Sequence, residues 1–85
     1  MNMTVRTSGT RWLTPVYVRI GYGMPEGIRS SQEALNYLLF RWPAANGPAY
    51  ERAKSLCSAA IGHDVPSDDA REAFVRACIE AKVLD

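Results

Sequence analysis

Between Val16 and Ile20 the side chains alternate: Val16, Val18 and Ile20 lie on one side, Tyr17 and Arg19 on the other. From Ser30 onward the apolar spacing lengthens to that of a helix. This change of period constrains the fold more than any other feature, because a half-buried strand must share its core with amphipathic helices. Gly21-Tyr22-Gly23-Met24-Pro25-Glu26-Gly27 is dense in glycine and proline and turns the chain. Ile28-Arg29 then reads as the short returning strand of a hairpin with a long loop. A hairpin alone is marginal in water, so helices are expected against its apolar face. Pro15 has no N–H to give a ladder and is expected at the strand's beginning or on an edge.

The helical segments carry their own start and stop signals. Ser30-Ser31-Gln32-Glu33 is a capping box, in which a serine hydroxyl takes the amide proton three residues on while Glu33 reaches back. Leu35, Leu38, Leu39 and Trp42 follow at helical spacing and are expected to form the buried stripe, which Pro43 ends. Gly47-Pro48 opens a second helix, proline being well tolerated at the first position. Its expected inner face is Tyr50, Ala53, Leu56, Cys57 and Ala60, with Gly62 as a left-handed cap. A third helix is expected from Ser67 to about Val83, with Asp68 and Asp69 at the positive end of its dipole. Ala70, Ala73, Phe74, Ala77, Cys78 and Ala81 make its core face, while Glu72, Arg76 and Glu80 make a polar stripe. The order predicts an α+β fold, a two-stranded antiparallel β-hairpin packed against three α-helices (β-β-α-α-α). Residues 1–10 are polar and without period, and are expected to be a flexible arm before a single domain over 11–85.

Length and composition exclude several classes. A chain of 85 residues has room for one domain. The apolar run from Tyr37 to Phe40 falls far short of the roughly 20 residues a membrane helix needs, and Met1 to Thr10 has no apolar signal region. The chain is therefore expected in the cytoplasm, away from membranes. A net charge of +1, with both signs mixed along the sequence, disfavours tracking of nucleic-acid phosphates.

The residues that could carry chemistry all have structural readings. Cys57 and Cys78 fall on apolar helix faces, are too far apart for a metal or redox motif, and are expected in the core. His63 is the single histidine, beside Asp64 at a helix C-terminus, where a cation complements the dipole. Asp64, Asp68 and Asp69 lack the ligand spacing of a calcium loop. Gly21, Gly23 and Gly27 are not followed directly by a helix, so they do not cradle phosphate. No catalytic, metal-binding or cofactor-binding residue is nominated, and no cofactor is expected.

The surface is more informative. Tyr17 and Arg19 share the outer strand face, Arg29 is expected beside them, and Arg11 and Tyr22 lie nearby in sequence. Arginine with aromatics on an exposed sheet suits a protein partner or bases. In the third helix Val75 and Ile79 widen the apolar face, so the helix is either deeply packed or covered by another chain. The expected function is a small non-enzymatic protein-interaction or regulatory module, with self-association as a homo-oligomer among its modes. A nucleic-acid-binding module using the Arg/Tyr face is the alternative, and a small enzyme the least favoured.

Trp12-x-x-Pro15-Val16-x-Val18, Ile28, the serine-led helix with Ala34 and Leu38, and Trp42-Pro43 form a pattern that resembles a known family. Tyr50, Ala53, Cys57, Ala60 and Ala70-Arg71-x-Ala73-Phe74, with Ala77 and Ala81, extend it from Trp12 to Leu84. The family is that of short alphaproteobacterial proteins called domain of unknown function 982. The resemblance implies a free-standing domain with no assigned activity, cofactor or catalytic residue. Arg71 stands apart from the core and turn positions in this pattern. A cation at a helix start opposes the dipole and needs a partner, expected to be Glu33, Glu51 or Asp68, or else a ligand.

Overall fold

The structure is a computed structural model that describes residues 11–43 and 47–85. The arm expected over 1–10 lies outside the described residues. The elements run β1 (Arg11–Val18), β2 (Glu26–Ser30), α1 (Ser31–Phe40), α2 (Pro48–Ile61) and α3 (Ser67–Ala81), which is the expected α+β order. β1 and β2 are antiparallel, with Val16 opposite Ile28, Tyr17 opposite Gly27 and Val18 opposite Glu26. The register then slips between Val16 and Arg11, where Arg11 faces Ser30. Pro15 lies inside this irregular stretch and not at the strand's start. The ladder is already interrupted there, so its missing N–H leaves no gap.

The core gathers around Phe74, which is fully buried in α3. The Trp12 ring packs 5.8 Å from it and the Trp42 ring 6.2 Å, with Tyr50 a further 5.9 Å from Trp42. Offset and tilted ring pairs of this kind add to the area they bury. The polar ends of Trp12 and Tyr50 find partners. Trp12 Nε1 donates to the buried Ser31 Oγ at 3.3 Å, and Tyr50 Oη donates to the Leu38 carbonyl at 3.0 Å. The second bond lets α2 satisfy a carbonyl in the last turn of α1, which its own helix leaves unpaired.

The helices depart from expectation in three places. In α1 the buried residues are Ser31, Ala34, Tyr37 and Leu38, while Leu39 is exposed. The stripe is rotated from the leucine-based reading because Tyr37 turns its ring inward beneath Arg41, whose guanidinium lies 4.7 Å from the ring centre. In α2 the left-handed residue is His63 (φ 65°), not Gly62 (φ −82°). His63 N–H donates to the Ala60 carbonyl and Asp64 N–H to that of Ala59, a Schellman ending shifted by one residue. α3 stops at Ala81, and Lys82 (φ 62°) repeats the motif as Val83 N–H donates to the Cys78 carbonyl. The turn sends residues 83–85 back along the free side of β1. There Arg19 N–H donates to the Val83 carbonyl at 2.9 Å and Asp85 N–H to that of Tyr17 at 3.0 Å.

Candidate interaction surface

In an antiparallel pair, successive residues direct their main-chain groups alternately toward and away from the partner strand. The bonds to Val83 and Asp85 show that Tyr17 and Arg19 point theirs away from β2. Opposite Tyr17, Gly27 must likewise point away from β1, as must Arg29 two residues on. Side chains meet them there. Arg29 N–H donates to Glu33 Oε1 at 2.7 Å, and Arg29 Nη1 donates to the Gly27 carbonyl at 3.4 Å. Glu33 N–H in turn donates to Ser30 Oγ at 3.1 Å, the N-cap bond of α1. The serine half of the capping box therefore forms, while the Glu33 carboxylate reaches one residue further back than the cap itself.

On the outer face of the hairpin, Gly27 allows a close approach. A Cβ there would stand 3.0 Å from Arg29 Nη1 and 3.1 Å from Tyr17 Cε1, so ring and guanidinium converge over bare main chain. Arg19 follows the last residue of β1, and its Nε lies 3.1 Å from the Asp85 carboxylate. At the tip, Tyr22 is wholly exposed and Met24 is 82% exposed. Tyr17 thus lies in β1, Arg19 just beyond its end and Arg29 in β2.

The α3 candidates divide. Arg71 Nε donates to the Thr14 carbonyl at 2.8 Å, replacing the carboxylate partner expected for it. The irregular stretch of β1 frees that carbonyl from the ladder, and α3 packs beside it. Val75 is half-buried against the core, whereas Ile79 is 59% exposed. Glu72 and Arg76 pair across one helical turn at 3.5 Å, with both side chains largely in water.

A groove of about 540 Å³ separates α1 from the outer edge of β2, with Glu33, Tyr37 and Phe40 along its helical wall. At one end Arg41 bonds both oxygens of Glu26, at 2.8 and 2.6 Å. The Arg41 guanidinium holds the Glu26 carboxyl below its usual range. Cys57 and Cys78 are free and buried. Burial pushes each thiol up to about 12, and Cys57 adds to the effect on Cys78. Neither is a thiolate near neutral pH, so neither is poised as a nucleophile. Among the described residues no three His, Cys, Asp or Glu side chains are placed to hold a metal ion, and no helix is long and apolar enough to cross a membrane.

Sequence reasoning missed the return of residues 83–85 onto β1. The apolar pair Val83-Leu84 beyond the last helical turn was its one signal.

The NMR structure of Agrobacterium tumefaciens protein Atu1219 is similar to this one, with a TM-score of 0.76. The two sequences are 35% identical, and the match covers 91% of this chain and 77% of that one. No curated protein matches the chain. The model of one family matches residues 14–84, which include most of β1, all of β2 and all three helices, so the chain belongs to the family described as Protein of unknown function (DUF982).

Proposed function

We propose that this chain is a small, non-enzymatic protein-interaction module that docks through the outer face and tip of its β-hairpin. The observation that carries the reading is the concentration of exposed Tyr17, Tyr22 and Met24 with Arg29 on one projecting element. Tyrosine, methionine and arginine are the residue types enriched where protein surfaces meet. The Arg19–Asp85 pair lowers the positive charge of this face, which favours a protein over a phosphate backbone. Free Cys57 and Cys78 suit a reducing compartment, and the reading has the chain acting in the cytoplasm.

The test is affinity capture from the native cell with wild type, a Tyr22→Ser/Met24→Ser variant and an Ile79→Ser variant. Partners lost only with the hairpin variant support the reading. Partners lost only with Ile79→Ser move docking, or self-association, to the α3 flank. The convergence of Tyr17 and Arg29 also fits a nucleic-acid base stacked on the face. That alternative requires binding that weakens with salt and with Arg19→Ala and Arg29→Ala, and salt-independent or absent binding removes it.

A further inference from the structure

The outer edge of β2 has an unusual arrangement: its outward main-chain groups, on Gly27 and Arg29, are met by side chains, those of Arg29 and Glu33. Arg29 N–H is taken by the Glu33 carboxylate, and the Gly27 carbonyl is taken by the Arg29 guanidinium. A neighbouring strand would supply both of these partners from its main chain. The other edge of the sheet is covered by residues 83–85. β2 is thus the edge along which the sheet can grow.

We propose that the outer edge of β2 is a self-pairing edge, held shut in the single copy by Arg29 and Glu33, whose occupant is β2 of a second copy of this chain. The strand sequence Glu26-Gly27-Ile28-Arg29-Ser30 complements itself. Antiparallel pairing about a two-fold axis at Ile28 sets Gly27 opposite the second copy's Arg29, and Glu26 opposite the second copy's Ser30. No like charges face each other, and glycine leaves the facing arginine free space. In this register Arg29 N–H donates to the second copy's Gly27 carbonyl, the two groups that side chains occupy in the single copy. The exchange therefore strands no hydrogen-bonding group and frees a guanidinium and a carboxylate to water. The groove of about 540 Å³ leaves open space beside the edge, with the Glu26–Arg41 pair at one end. Phe40 on its wall is 79% exposed and gains cover.

This rests on reading the chain as an interaction module, yet the hairpin-tip docking is tested by the Tyr22 and Met24 variants and survives either outcome here. The experiment is sedimentation equilibrium of the full chain across concentrations, with amide exchange read at Gly27 and Arg29. Glu33→Ala removes the stopper on Arg29 N–H, and Arg29→Ala removes the one on the Gly27 carbonyl without touching the helix cap. Each is expected to lower the concentration of half-dimerisation about tenfold, and to protect both amides in the dimer. Glu33→Gln keeps an acceptor oxygen and should behave as wild type. Ser30→Ala weakens the α1 cap but leaves the Arg29–Glu33 bond, so it should not promote pairing. Folded Arg29→Ala and Glu33→Ala chains that remain monomeric overturn the proposal and leave the edge to a foreign strand. Equal association by Ser30→Ala, or dimers with unprotected Gly27 and Arg29 amides, overturns it as well.

Discussion

His63 and Lys82 each hold a left-handed backbone at φ near +60°, a region where a Cβ crowds the following carbonyl. The Schellman bonds at both helix ends over-determine that conformation, so the cost is borne locally. Replacing either residue with glycine should stabilise the protein by about 0.5–1 kcal/mol, the left-handed penalty less the extra freedom of glycine when unfolded. Urea denaturation reads this as a higher midpoint at unchanged slope, and an unchanged or lower midpoint would contradict it. Ser31 makes the opposite case. Its hydroxyl accepts the Trp12 indole N–H in the interior, and Ser31→Ala leaves that donor unpaired. A loss of about 1–3 kcal/mol is expected in the same measurement, whereas a neutral effect would mean that another acceptor replaces it.

At the scale of elements, the Glu26–Arg41 pair ties the start of β2 to the end of α1 while Arg41 covers the Tyr37 ring. The Glu26 carboxyl lies below its ordinary 4.5 in the folded chain, so its contribution is present above that value and lost as pH falls through the folded one. Arg41→Ala should therefore lower the unfolding midpoint at neutral pH, and its difference from wild type should shrink through the acid range. A difference that stays constant with pH would assign the effect to the ring contact. The elements that local chemistry dictates were legible in the sequence. The alternation of Val16, Val18 and Ile20, the Ser30–Glu33 cap and Pro48 at a helix start all operate within a few residues. What escaped was decided across elements. Leu39 is exposed because Tyr37 takes the inward position, Arg71 finds Thr14 through a slip in a strand 57 residues away, and residues 83–85 pair with β1 only once α3 has placed them there. Of the candidate surface, the exposure of Tyr17 agrees with the period of two in β1. The stoppers on β2 were not legible, because Glu33 reads as a cap residue and its second service needs the strand alongside.

For the molecule as a whole, the two thiols couple stability to alkaline pH. Each titrates near 12 when folded but near 9.0 when exposed, so the unfolded chain sheds protons first as pH rises. Stability present below pH ~9 should fall toward pH 12 by up to about 1.4 kcal/mol per pH unit for each thiol. Cys57→Ala should flatten the decline, and an equally steep fall in that variant would place its cause elsewhere. Below that range, alkylation of both thiols should keep pace with global opening. Phe74→Ala removes the ring around which the core is arranged, at a cost of about 3–5 kcal/mol. A chain of this length has about 4–13 kcal/mol to lose, so the variant should sit near its unfolding transition at room temperature by circular dichroism. The same ring gives the protein an optical property. Trp12 is buried against Phe74, and half-buried Trp42 packs against the same ring, within reach of Tyr50. Emission from two indoles in unequal surroundings is a built-in reporter: replacing either with phenylalanine isolates the other. An early red shift of Trp42 alone would reveal a loosening of the α1–α2 end while the hairpin side still holds.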